Sequence, residues 1–343
     1  MMRLPLPWLL ALTTAALALL LIGSLATGPM SLSLGESLRA LFAGQQSGIE
    51  AHKLLIVQEI RLPRTLLCIA VGAILGLCGA VMQGLFRNPL ADPGIIGVSG
   101  GAALGAALAI VLLAPLSQQW QSLLGLGLLP LLAFLGGALT TTLVYLLGTR
   151  EGGTSVTVML LAGVAITALS GAVIGLLTYL ADDQMLRNLS LWQMGSLAAG
   201  KPLDVALTLA TLAALLWLFM RDANPLNALL LGEGEALHLG VNVQALKRRL
   251  ILLTAAGVGV AVAVAGMIGF VGLVVPHLVR LLAGPNHVRL LPLSALLGAG
   301  LLLGADMLAR TLLAPAELPV GIITALMGAP FFIWLLVKSR RTL

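Results

Sequence analysis

The chain is 343 residues long, 59% hydrophobic and only 9% charged, against about 25% charge in an ordinary soluble domain. That composition excludes a soluble globular protein and points to a chain that crosses a lipid bilayer many times. A formal net charge of +6 would suit an acidic partner, but a polybasic tract is absent, so nucleic acid is excluded and the basic residues are left to set membrane topology.

A hydrocarbon core of about 30 Å needs about 20 apolar residues of helix. Within it every backbone polar group must bond inside its own segment, so apolar runs of that length are helices. Ten such runs are predicted, at residues 8–27, 64–86, 94–114, 127–148, 156–180, 202–220, 248–266, 270–283, 290–311 and 319–338. The eighth is short for a full crossing and calls for support from its neighbours. The fold class is therefore all-α, a polytopic membrane protein with residues 1–343 as one transmembrane domain.

The first run is followed by Thr27-Gly28-Pro29-Met30, a poor small-residue cleavage site, so it is expected to be a retained helix rather than a signal peptide. Ser33-Leu34-Gly35-Glu36 is a capping-box pattern, and Leu34, Leu38, Leu41 and Phe42 follow at helical spacing, which predicts a short amphipathic helix on the outer face. Cys68 and Cys78 share the second run. Ten residues of helix separate them by about 15 Å, too far for a disulfide, so they are packing residues. Gly72/Gly76, Gly97/Gly101/Gly105, Gly171/Gly175 and Gly300/Gly304 each repeat every four residues, which places small faces at helix contacts. Between the sixth and seventh runs, residues 221–249 form the largest polar excursion, Gly-punctuated and long enough for two short helices.

With the N-terminus inside, twelve basic residues fall in the cytoplasm: Arg3, Arg87, Arg150, Arg221, Lys247, Arg248, Arg249, Arg280, Arg289, Lys338, Arg340 and Arg341. Seven fall outside: Arg39, Lys53, Arg61, Arg64, Arg187, Lys201 and Arg310. The bias has the sign of the positive-inside rule. Both termini are thereby placed in the cytoplasm.

Catalytic chemistry finds no footing. Gly97-Val98-Ser99-Gly100 matches a serine-hydrolase pattern, but Ser99 needs a histidine base, and His52, His238, His277 and His287 have no evident route to it. Neither a metal-ligand spacing nor a Walker A phosphate loop is present. Asp306, four residues before Arg310, is the main candidate for a charge inside a span; the spacing allows an ion pair. Asp204 and Glu59 lie near membrane boundaries. Mid-membrane acids are otherwise lacking, which counts against a secondary transporter driven by an ion gradient.

Several motifs then occur in order. They are Arg61-Leu62-Pro63-Arg64-Thr65, Gly72-x3-Gly76-x2-Gly79-x3-Gln83, Arg87-Asn88-Pro89-Leu90-Ala91-Asp92-Pro93, Leu161-Ala162-Gly163 and Trp192-x2-Gly195-Ser196-Leu197. Residues Leu231 to Gly240, Gly269 to His277, Ala316-Glu317-Leu318-Pro319-Val320-Gly321 and Gly328-Ala329-Pro330 complete the series. It resembles the FecCD-type permeases of ABC importers, which carry iron-siderophores, haem or cobalamin, and it covers residues from about 56 to 337.

The resemblance implies a homodimer in the bacterial inner membrane, two cytoplasmic ATPase subunits and a periplasmic substrate-binding protein. ATP and its magnesium would sit on the ATPase, leaving this chain without a cofactor. It implies that Arg61, Arg64 and Arg310 receive acidic side chains of the binding protein, as exposed guanidinium groups can; the alternative is structural pairing such as Asp306 with Arg310. It implies that Leu231, Gly232, Glu233, Glu235, Ala236, Leu237 and Gly240 contact the ATPase. Asn88, Leu90, Thr154 and Ser155 become gate elements. The outer segment from Asp182 to Leu197 is most similar to haem members, with Arg187, Met185 and Met194 beside the substrate path. Ferric siderophore and cobalamin are the alternatives.

Overall fold

In the computed structural model, residues 5–30, 32–42, 50–113, 127–150, 153–198 and 200–339 are described. Arg3, Arg340 and Arg341 of the charge count, and Ala114 at the end of the third predicted span, lie outside them.

All ten predicted runs are helical. They are α1 (Leu6–Ala26), α4 (Leu62–Leu85), α5 (Val98–Leu108), α6 (Leu128–Gly148), α7 (Val156–Leu180), α9 (Pro202–Arg221), α12 (Val243–Ala265), α13 (Val271–Ala283), α14 (His287–Thr311) and α15 (Val320–Ser339). Among the described residues, seven stretches are long and apolar enough to cross a bilayer; those built on α5, α13 and α15 are shorter. The eighth run is indeed short, with 13 residues in α13.

The remaining helices are extramembranous in composition: α2 (Leu34–Phe42), α3 (Ala51–Leu55), α8 (Asp183–Gln193), α10 (Ala223–Leu231) and α11 (Glu233–His238). A π turn at Ile56–Arg61 joins α3 to α4. One two-stranded hairpin, β1 (Thr149–Arg150) and β2 (Gly153–Thr154), links α6 to α7 with Thr149 opposite Thr154.

The capping box forms as the sequence predicts. The Ser33 backbone N–H and hydroxyl both donate to Glu36, at 2.9 and 2.8 Å, and Glu36 N–H returns a bond to Ser33 Oγ. Lys53 donates to the other Glu36 oxygen at 2.8 Å. That ammonium, then the Ser33 N–H, hold the Glu36 carboxyl down to about 2, so it stays ionised under mild acid. Helix α8 was not predicted; Asp182 starts it by accepting from Met185 N–H at 2.8 Å. Helix α12 begins five residues before the predicted span because Asn242 caps it, accepting from Ala245 N–H at 3.0 Å.

Helix α4 is apolar on every side and almost wholly buried, as expected of the central helix of a bundle. Its closest neighbour is the antiparallel α14, and glycine sets the approach. A Cβ added at Gly72 would lie 2.4 Å from Gly298 O, and one at Gly76 would lie 2.4 Å from Ser294 O. Gly101 and Gly105 seat α5 on α6 in the same way, against Gly136 O and Leu132 O at 2.3 and 2.0 Å.

The other repeats do something else. Gly97 is a left-handed turn residue with φ of 84°, opening α5. Gly171, Gly175 and Gly304 meet nothing within 4 Å of an added Cβ, and Gly300 meets only Leu20. Helical spacing of small residues thus marks contacts on α4 and α5, but not contacts within this protomer on α7 and α14. Cys68 and Cys78 are buried free thiols on α4, in the core.

Gly76→Ala is expected to destabilise the detergent-solubilised protein by about 1–3 kcal/mol, because the new methyl meets backbone that cannot yield locally. Gly304→Ala, in open space, should change stability by no more than about 0.5 kcal/mol. Thermal unfolding of the two variants side by side checks the contrast; equal losses would mean that the α4–α14 approach is looser than the structure has it.

Candidate functional site

Where α1 ends and α4 begins, five charged side chains converge. Asp306 is fully buried and accepts from Arg64 Nε at 3.0 Å and Nη2 at 2.9 Å. Its other oxygen lies 3.0 Å from Arg310 Nε. Arg64 Nη1 donates to Glu317 at 2.7 Å. Arg310 also donates to Ser24 Oγ at 2.8 Å and Thr27 O at 3.1 Å, and Ser24 Oγ lies 2.8 Å from Thr65 Oγ1. Arg61 donates to the carbonyls of Leu25 and Ala26, which are oxygens left unpaired at the C-terminus of α1, and to that of Met30 in the segment that follows.

Arg61, Arg64 and Arg310 are only 4%, 6% and 2% exposed. The expectation of exposed guanidinium groups is therefore corrected. Taking an arginine out of water is costly unless its charge and N–H groups find partners. Here carboxylates, carbonyls at and just beyond the end of α1 and the Ser24 hydroxyl supply most of them, and Arg310 Nε sits in its ion pair with Asp306 without making a hydrogen bond. The alternative pairing of Asp306 with Arg310 is present, extended to Arg64. Glu317, with 34% of its side chain exposed, is the most accessible member of the cluster.

The opposite end of the same helices carries the basic loop. Within residues 221–249, α10 and α11 are the two predicted short helices, separated by Gly232 with φ of 130°. Leu231, Glu235, Leu237 and Gly240 are exposed, whereas Gly232 and Glu233 are half-buried. Ala236 is fully buried within the protomer. The expectation that Ala236 touches a partner is corrected: its methyl seats α11 on the core, and Leu237 and Leu239 face outward.

Asn88 is exposed and Leu90 half-buried. Asn88 Oδ1 accepts from Leu90 N–H at 2.9 Å, a local turn that explains the polar residue there. Arg87, with φ of 49°, carries its guanidinium to within 3.9 Å of the Cβ position of Gly232. Ser155 starts α7 as its N-cap. Thr154 is buried, its N–H donating to Gln244 and its carbonyl accepting from Lys247. The Asn88–Leu90 turn and the hairpin thus both reach the loop that contains Gly232 and Glu233.

On α8, Arg187 is exposed and Met185 half-buried against Leu177, Leu189, Ile110 and Val111. Met194 is half-buried, and its carbonyl accepts from Gly321 N–H at 3.1 Å where α15 begins. A Cβ on Gly195 would lie 2.6 Å from Met267 O, so the residues flanking Met194 and Met267 are in backbone contact. Ser99 lies in a glycine-lined helix start; Thr140 bonds the neighbouring Gly97 carbonyl at 2.8 Å. Among the described residues, none of the acid, histidine and cysteine groups is arranged to hold a metal ion.

Sequence reasoning missed Ser24, Glu317, Gln244 and the second role of Lys247. Asp306 was visible as a partner of Arg310, but its bond to Arg64 spans 242 positions and no local spacing signals it. Asp306→Asn should destabilise the protein by about 3–5 kcal/mol, since two buried guanidinium groups lose their counter-charge. Glu317→Gln, on the exposed margin, should cost no more than about 1 kcal/mol. Thermal unfolding in detergent reads both; a small loss for Asp306→Asn would show the cluster to be hydrated.

Residues 16–338 match the profile of the FecCD transport family. The hemin transport system permease protein HmuU of Yersinia pestis is 48% identical over 329 residues, covering 94% of this chain and 93% of the relative. The vitamin B12 import system permease protein BtuC of Klebsiella pneumoniae is 42% identical, covering 97% and 94%. Among solved structures, an inward-facing transporter of the metal-chelate ABC type superposes with a TM-score of 0.83 at 35% identity, covering 97% of this chain and 99% of the other. With its ten apolar helices, its motif series and these likenesses, the chain belongs to the FecCD transport family, as an integral membrane permease and not an enzyme.

Proposed function

We propose that this permease is the membrane subunit of an ATP-driven importer in the bacterial inner membrane, and that it passes haem inward as a homodimer. The observation that carries the haem reading is its identity to a hemin permease, higher than to the vitamin B12 permeases. The basic end, with α10, α11 and the hairpin, then faces the cytoplasm and two ATPase subunits, which hold ATP and magnesium. Both chain termini lie on that side. Exposed Leu231, Glu235, Leu237 and Gly240 form the docking ridge for the ATPase, and buried Ala236 and paired Glu233 fix its shape.

The charge cluster then lies on the periplasmic side. Three guanidinium groups against two carboxylates give it a positive field that attracts an acidic binding protein. Carboxylates of the incoming protein would reach Arg64 in competition with Glu317. Arg187, exposed on α8, suits the propionates of haem, with Met185 and Met194 along the apolar way inward. Asp306, the main candidate for ion coupling, is held by two arginines, which supports an energy source outside this chain.

Reconstituted with its ATPase and binding protein, the permease should take up haem when ATP is supplied, and leave cobalamin and ferric siderophores at background. Gradient-driven uptake by the permease alone would overturn the importer reading, and preferred uptake of cobalamin would replace the substrate. Glu317→Gln should tighten docking of the binding protein by up to about fivefold, the equivalent of an exposed pair, and the gain should shrink as salt rises. Unchanged affinity would take Arg64 out of the docking contact.

A further inference from the structure

Lys247 is the second residue of the Lys247-Arg248-Arg249 neighbourhood to have an internal partner, as Arg249 pairs with Asp222, but the two differ in burial. Arg249 has 52% of its side chain exposed and Lys247 has 2%. A lysine this deep at a helix end is not there for membrane topology alone. Its ammonium makes two contacts: with Glu233 Oε1 at 2.7 Å on α11, and with Thr154 O at 3.0 Å on β2. One turn earlier on α12, Gln244 Oε1 accepts from Thr154 N–H at 3.0 Å. Both backbone polar groups of Thr154 are therefore bonded by side chains three residues apart on one face of α12.

The hairpin is shaped for this grip. Gly153, with φ of 112°, lets its backbone close on Gln244: an added Cβ would stand 2.4 Å from Gln244 Nε2. Thr149 Oγ1 and Thr154 Oγ1, paired across the strands, lie 3.1 Å apart, so the two strands move as one piece. Beside them an open cavity of about 420 Å³, bordered by Tyr145, Arg150 and Arg248, leaves room for the hairpin to shift.

We propose that Lys247 is the link through which displacement of the α11 segment is passed to the hairpin between α6 and α7, making it a positioning residue of the transport cycle. The proposal rests on the importer reading given above. A buried ammonium that loses one partner retains an uncompensated charge, at a cost of several kcal/mol. Movement of Glu233 must therefore draw Lys247, and with it Thr154, or leave that charge exposed to apolar surroundings. The Glu233 carboxylate is 41% exposed, so it can respond to a docked partner while its other oxygen holds the lysine.

The test uses the full assembly of permease and ATPase, with binding protein, in proteoliposomes. Spin labels are placed at His238→Cys, exposed on α11 and outside the docking ridge, or Arg150→Cys on the hairpin; the native Cys68 and Cys78 are buried. In the otherwise unaltered protein, nucleotide should change the label-to-label distance across the dimer at both positions. In Lys247→Met the change at 238 should persist and the change at 150 should vanish, and substrate carried per ATP hydrolysed should fall about tenfold, a typical coupling free energy. Lys247→Arg, which keeps a charge and donors, should recover part of both. Glu233→Gln should shift both readouts in the same direction by less, and it answers the question should Lys247→Met fail to fold. Nucleotide response at 150 and full uptake per ATP in Lys247→Met or Glu233→Gln would overturn the link while leaving the importer reading intact. Absence of any nucleotide response at 238 in the otherwise unaltered protein would overturn the importer reading itself, and the link with it.

Discussion

Gly72 and Gly76 bring the backbone of α4 onto the carbonyls of Gly298 and Ser294 on α14, closer than any side chain permits, and the bundle is arranged around that approach. In a bilayer, lipid offers apolar groups nearly the same surroundings as protein does, so helices associate through close packing and satisfied polar groups. The contact fixes an antiparallel register. At one end the register puts Arg64 beside Asp306; at the other it puts Gly84 against the His287 ring, where an added Cβ would be 2.3 Å from Nε2. A helix slipped by one turn would separate a buried carboxylate from its guanidinium groups, so packing and charge specify the same arrangement.

The two ends of the bundle spend their charge differently. At the Asp306 end, guanidinium groups close off the exposed carbonyls of α1 and neutralise a buried acid, tying α1, α4, α14 and the turn before α15 into one block. Such a block is suited to serve as a fixed platform, with Glu317 as its accessible margin. At the Lys247 end the contacts run between short elements, a two-residue strand and a six-residue helix, and the first two turns of α12. Short elements with few buried apolar contacts are the ones that move at low cost. Rigid platform and movable levers on opposite ends of shared helices are what a carrier needs in order to alternate.

Helix α7 packs one face on the core through Met159, Leu160 and Ile166 and turns Leu161, Val164, Leu169 and Leu176 outward, and a Cβ added at Gly171 or Gly175 would meet nothing within 4 Å. These two glycines do not serve the contacts of this protomer. The same four-residue spacing therefore means close packing on α4 and an open face on α7, and only the position of the helix in the bundle distinguishes the two.

From the sequence by itself, the all-α membrane class, the ten apolar helices, the α2 capping box, the two short helices of residues 221–249 and the family were all legible, because each is written in local composition, periodicity or an ordered series of short motifs. What remained illegible has a common physical origin. Whether Arg61, Arg64 and Arg310 are exposed or buried, whether Ala236 faces a partner or the core, and whether Lys247 is a topology signal or an internal link all depend on groups that the chain brings together across tens to hundreds of residues. Asp306 reaches Arg64, and Lys247 reaches Thr154, only once helices have packed. The cost of burying an ionic group depends on the partners that surround it, and those partners are chosen by tertiary structure alone.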